Sequence, residues 1–246
     1  MLVFRNRLDP DELSGADLDR YLAAGWYRMH QCIFTISHLI SEPHLSVHRV
    51  HWLRFPVGAY VTLPAHRKLH RRNSSLRHEI LPVTTIDEEH RDLYKRYRSA
   101  IDFEGYPSIE DALWGGGQQE HSIFNTHCIS VYDGDQLVAA GYFDIGQTSA
   151  ASILHCYEPS YKRHSLGKWL ILLTLEYLKP AGFVWYYPGY LVAGKPKMNY
   201  KLFLGATSMQ YYDPDSERWV PYHQAICEEE EYGEGVEAEI LHILLG

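Results

Sequence analysis

Between His127 and Pro159 the chain carries three apolar runs of strand length, HCISVYD, QLVAAGYFDI and SAASILHCYEP, parted by Asp133-Gly134-Asp135 and Gly146-Gln147-Thr148. Gly and Asp at such breaks let a chain reverse tightly, and β-branched and aromatic residues between them favour strands, so the spacing predicts an antiparallel meander. The next segment changes period: LGKWLILLTLEYLKPAG is mostly apolar over a helical length and stops at Pro180 and Gly182. FVWYYPGYL returns to strand composition, and KPKMNYKLFLGA reads as a loop that becomes a short helix. A meander, a helix, a strand, a second helix and a last strand, with no internal repeat, predict an α+β fold: a mixed, mostly antiparallel sheet flanked by helices.

Upstream, SGADLDRYLAAGW predicts a helix capped by Ser14, with Leu18 and Leu22 on one face and Gly25 at its end. SVHRVHWLRF alternates as a strand does and is closed by Pro56 and Gly58. IDEEHRDLYKRYRSAI predicts a helix with acids in its first turn, as the helix dipole favours. ALWGGGQQEHSIFN is glycine-rich and reads as a mobile loop. No linker divides the chain, so the expected organisation is an N-terminal region over 1–80, a catalytic body over 81–222 and an acidic tail over 223–246.

Charge is unevenly spread. The formal net charge of -8 would disfavour a polyanionic partner, yet seven glutamates lie between Glu228 and Glu239 without a Lys or Arg among them. The opposite extreme is HRKLHRRNSSLRH, where Arg67, Lys68, Arg71, Arg72 and Arg77 occur with no acid. A solvated helix or loop is one reading of that block; a surface for nucleic-acid phosphates is the other. With 46% hydrophobic and 22% charged residues, whole-chain disorder is excluded. The four cysteines form no CxxC pair and MLVFRNRLDPDEL has no run suited to a signal sequence, so a reduced cytoplasm is expected. The longest apolar stretch is interrupted by Lys168 and Glu176, so no membrane span is expected.

Two motifs carry chemistry. Tyr157-Glu158-Pro159 followed by Arg163-His164-Ser165-Leu166-Gly167 joins a strand end to a helix start. The free N–H groups there suit a phosphate or an oxyanion, with Lys162, Arg163 and Lys168 adding charge, although a capped core helix would look the same. A meander followed by such a turn resembles the acyl-CoA N-acyltransferase (GNAT) fold. The second motif is more specific. Tyr186-Tyr187-Pro188-Gly189-Tyr190, then Lys195-Pro196-Lys197-Met198-Asn199-Tyr200-Lys201, resembles the signature of the arginyl-tRNA and leucyl-tRNA protein transferases. AAGWYRM, HRKLHRRN, EEHRDLYKRYRSAI, YEPSYKRHSLG and the terminal WVP are similar to family segments in the same order, so the resemblance runs from about Leu18 to Pro221. The chain departs from the pattern where the family carries an N-terminal cysteine cluster, offering only Cys32 and several histidines, and where Lys195 replaces the cysteine before Pro-Lys-Met. A metal site on His44, His48 and His51, with Cys32 and His38 nearby, is disfavoured because the strand pattern sends these histidines to opposite faces; no metal is expected.

The resemblance implies a GNAT-like fold and transfer of arginine or leucine from aminoacyl-tRNA to the N-terminal α-amine of acceptor proteins, those beginning with Asp or Glu, as a tag for degradation. It implies no cofactor, the aminoacyl-tRNA being co-substrate. Catalytic roles then fall to Tyr157, Glu158, Ser165, Tyr200 and Lys201, and donor-end binding to Arg163, Gly167, Tyr187, Tyr190 and Lys197. Arg67, Lys68, Arg71 and Arg72 are assigned to the tRNA backbone, Arg28 and Arg54 to the acceptor N-terminus. Trp185, Tyr186, Tyr187 and Tyr190 are candidates for stacking on the terminal adenosine, or for the core. The rival readings are an acyl-CoA-dependent N-acetyltransferase, which normally has two glycines where this chain has only Gly167, and a non-catalytic binder of tRNA or N-terminal peptides.

Overall fold

The computed structural model describes residues 2–41, 46–102, 105–116 and 122–227. The acidic run from Glu228, His44 and residues 117–121 of the expected glycine-rich loop lie outside the described residues. The N-terminal half supplies β1 (Leu2–Leu8), α1 (Gly15–Ala23), β2 (Tyr27–Met29), β3 (Cys32–Ser41), β4 (Ser46–Pro56), α2 (Pro64–Arg72) and β5 (Arg77–Pro82). There follow α3 (Glu88–Ala100), α4 (Ile109–Trp114), the meander β6 (Thr126–Asp133), β7 (Gln136–Ile145) and β8 (Ser149–Tyr157), then α5 (Leu166–Leu178), β9 (Trp185–Val192) and the hairpin of β10 (Gln210–Asp213) and β11 (Arg218–Pro221).

Local chemistry explains the helix starts. The Ser14 hydroxyl accepts from the Asp17 N–H while Asp17 reaches back to the Ser14 N–H, a reciprocal cap, and Leu18 and Leu22 are buried as their spacing predicts. Asp87 caps α3 by accepting from the His90 N–H. α2 begins on Pro64, and the buried His66 accepts from the Leu63 N–H through Nδ1, leaving Nε2–H to donate to the Phe203 carbonyl at 2.7 Å. The first residues of the segment expected as a mobile loop, Ala112 to Trp114, are instead the end of α4, whose Leu113 and Trp114 are buried and which stops at left-handed Gly115.

The strands form one large sheet in the order β1-β3-β4-β9-β8-β7-β6-β5, with β2 beside β3 and β10 beside β4. The boundary expected at residue 80 falls inside β5, which pairs with β6 along its length. α5, buried over nine of its positions from Leu166 to Leu178, covers one face, and a core of Leu53, Phe55, Ile129, Val131, Phe143, Leu170 and Leu173 lies between. Among the described residues every neighbouring pair but one is antiparallel: β8 and β9 run parallel, and pair from Ser149 to Ala151 against Trp185 to Tyr187. The next residues of β9 are Pro188, which has no N–H to give a ladder, and Gly189 at φ +102. Beyond that point β8 stays with β7 while β9 stays with β4, so the sheet opens into a slit.

Candidate active site

The slit is occupied by a cleft of about 250 Å³. β8 contributes Ser152 to His155, β9 contributes Pro188 to Tyr190, and the 3-10 turn Pro196–Leu204 contributes Met198, Tyr200 and Lys201. The opposite wall is largely aromatic and aliphatic: Tyr27 stacks on Trp52 at 3.7 Å between ring centres, Trp52 meets Tyr190 edge-on at 5.0 Å, and Phe34 and Ile36 complete it. Tyr106 and Ala112 close a further side, and no Asp or Glu is among the described residues that line the cleft.

Lys201 is the chemically distinctive group. It is 6% exposed, donates to the Tyr190 carbonyl at 2.9 Å and lies 4.8 Å from the centre of the Tyr200 ring. Burial pulls its ammonium down from the ordinary 10.5 to about 7, because the charged form has lost its water and gained no carboxylate. Gly189 is required beside it: a Cβ there would sit 3.3 Å from Lys201 Cε, at a backbone angle that L side chains rarely adopt. Burial also raises the Tyr200 and Tyr190 hydroxyls above their ordinary value, so both are donors at neutral pH.

Of the residues singled out in the sequence, Tyr190, Tyr200, Lys201 and Arg28 line the cleft. Arg28 is not free to receive a carboxylate. Its guanidinium is already held by Asp144 at 2.7 Å, Thr126 Oγ1 at 2.8 Å and the carbonyls of His30 and Leu113, with Phe124 against its face, so it ties β2 and α4 to the sheet. Arg54 lies outside the cleft, between Trp185 and Trp219, and donates to Gln210 at 2.7 Å. The four-ring stacking surface does not form: Tyr186 and Tyr187 are fully buried, Trp185 packs on Arg54, and only Tyr190 reaches the cleft. Lys197 points outward and pairs with Asp102 at 2.7 Å.

The second motif forms a separate place. Tyr157, Glu158, Arg163, Ser165 and Gly167 lie around the turn into α5 and do not line the cleft. Glu158 is paired with Arg96 at 2.8 Å, and the Tyr157 ring packs edge-on against Tyr97. What the fold adds is the basic helix. Arg72 on α2 donates to the Arg163 carbonyl at 2.7 Å and to Ser165 Oγ at 3.3 Å, and Asn73 donates to the His164 carbonyl. Arg67, Lys68, Arg71 and Arg72 are exposed on α2, so the two basic sequence segments, ninety residues apart in the chain, become one positive face. Three lining residues were not marked by the sequence: His155, which enters the site because β8 and β9 part, Trp52, which β4 brings alongside β9, and Tyr106 before α4.

Residues 89–211, half of the chain, match the family described as arginine-tRNA-protein transferase, C terminus. The chain belongs to that family. The matched stretch includes β8, β9, Tyr200 and Lys201, but neither α2 nor the aromatic wall from β2 to β4. As a family member it is 29% identical over 150 residues to an aspartate/glutamate leucyltransferase of Acinetobacter baumannii, covering 60% of this chain and 55% of that relative. It is 25% identical over 219 residues to a protein of the same name from Leptospira interrogans, covering 86% of this chain and 80% of that one. The aligned part thus spans about half the length of the Acinetobacter relative. Among solved structures, L-PGS from Bacillus licheniformis superposes with a TM-score of 0.42 at 12% identity, covering 58% of this chain and 46% of that one, a likeness too slight to carry a functional argument. No helix among the described residues is long and apolar enough to cross a membrane.

Proposed function

We propose that the protein moves leucine from leucyl-tRNA to the N-terminal α-amine of acceptor proteins, those beginning with Asp or Glu, on a GNAT-like frame whose slit between β8 and β9 is the reaction cleft. The observation that carries this reading is Lys201, buried in that slit within the family's matched region. The reaction is aminolysis of an ester: the C–N bond forms, the C–O bond to the ribose breaks, and negative charge gathers on the carbonyl oxygen between. An ammonium held in a low-dielectric cleft stabilises that oxygen far more than it would in water. The Tyr200 and Tyr190 hydroxyls supply neutral donors beside it. An acceptor α-amine, with an ordinary pKa of about 7.7 to 8.0, is partly neutral at pH 7 and needs no strong base to become a nucleophile.

The lining favours leucine over arginine. A guanidinium bound here would face Lys201 with no carboxylate in the lining to pair with, whereas a leucyl side chain meets apolar and aromatic surface. The relatives named leucyltransferase support the same choice. α2 and the turn into α5 supply the tRNA contact in this reading, Arg67, Lys68, Arg71 and Arg163 meeting phosphates outside the cleft while the aminoacyl end enters it. No cofactor is needed. Incubation with radiolabelled leucyl-tRNA, arginyl-tRNA or acetyl-CoA and an Asp-starting peptide tests the proposal: labelling from leucyl-tRNA supports it, and labelling from acetyl-CoA alone overturns it.

A further inference from the structure

Resting on that reading, we infer that His155 is the proton acceptor of the transfer, taking a proton from the attacking amine and passing it to the ribose oxygen that leaves. His155 lies on β8 in the wall of the cleft, opposite the strand and turn that bring Tyr190, Tyr200 and Lys201. No described residue hydrogen-bonds its imidazole, which is partly open to the cleft. That separates it from the other cleft groups. Lys201 is committed to the Tyr190 carbonyl, Arg28 is saturated by the sheet and cannot lose a proton, and the tyrosines are held protonated by burial. With no carboxylate in the lining, His155 is the nitrogen base placed to meet an incoming amine.

Burial and the charge of Lys201 lower the His155 imidazole to about 4, so it is neutral and has a lone pair to offer at pH 7. Its basicity is tied to the reaction itself. As the amine lone pair attacks, the carbonyl π electrons move to oxygen, and that oxyanion offsets the Lys201 charge, the smaller of the two causes, after burial, that hold His155 weakly basic. The imidazole then takes one N–H proton from the tetrahedral adduct. Collapse breaks the C–O bond, the ribose oxygen takes the proton back from the imidazolium, and an amide and a free 3′-hydroxyl remain.

The test uses leucyl-tRNA and an Asp-starting peptide with wild type, His155→Gln and His155→Ala, all of matching melting temperature. We expect His155→Gln to transfer on the order of a hundredfold more slowly with the KM for leucyl-tRNA within twofold. We expect added imidazole to restore His155→Ala in proportion to its free-base concentration, an effect that a structural histidine would not show. Wild type without any transfer would overturn the proposed function and this role together; active wild type with an unimpaired His155→Gln, or a His155→Ala that imidazole does not restore, would overturn the role alone.

Discussion

Replacing Lys201 by Met should cost the protein its activity and increase its stability, and the two effects should have different pH dependences. In the fold the ammonium titrates at about 7 instead of 10.5, a difference worth about 5 kcal/mol against folding wherever the charged form is present in both states. Below pH 7 that cost is complete. Between about 7 and 10.5 the unfolded chain binds a proton that the folded chain does not, so wild-type stability rises with pH; above 10.5 the cost is gone. Met keeps the apolar stem but gives up the bond to the Tyr190 carbonyl, which offsets about 1.5 to 3 kcal/mol. The expected net gain is therefore about 2 to 3 kcal/mol at pH 6, vanishing or reversing near pH 10. Urea unfolding of both proteins at pH 6 and pH 10 measures it, alongside leucine transfer, which should fall about a hundredfold or more. A Lys201→Met protein less stable than wild type at pH 6, or one whose gain is the same at both pH values, would refute the buried ammonium.

Three further outcomes follow from the same geometry. Gly189→Ala places a side chain at φ +102 and against Lys201 Cε, so it should destabilise by about 1 to 3 kcal/mol in thermal unfolding and depress transfer by displacing the lysine. Changing Arg67, Lys68 and Arg71 together to Gln should weaken tRNA binding and make its log-log salt dependence shallower by up to about 3, measured by filter binding from low to physiological salt, with melting little changed. Arg28→Met strips the partner from buried Asp144 and should cost about 3 to 5 kcal/mol in urea unfolding; if it instead raised only the KM for an Asp-starting peptide, Arg28 would be an acceptor contact after all.

Local signals in the sequence were enough for the elements. The Asp-Gly-Asp turn, the Ser14 cap and the Pro180 stop lie within a few residues of what they control, and the meander, α1 and α5 form where those signals place them. The Pro-Lys-Met-Asn-Tyr-Lys motif likewise led to Lys201 and Tyr200. Partnerships across the chain were not legible. Arg28 looked available until Asp144, 116 residues away, was found against it, and Glu158 looked like a site carboxylate until Arg96 claimed it. The aromatic wall comes from strands that only the sheet order brings to β9, and His155 becomes a site residue because β8 and β9 separate after Ala151. Only α2 went the other way: its charge was plain in the sequence, while its junction with Arg163 and Ser165 required the fold.

Transfer of leucine to a protein α-amine in this cleft is tested by presenting the protein with a pool of all aminoacyl-tRNAs and an Asp-starting peptide, then identifying by mass spectrometry what has been added and where. The expected addition is leucine, joined through an amide to the peptide α-amine, in preference to arginine. Arginine as the principal addition would contradict the reading of the cleft lining, and an unmodified peptide would contradict the function.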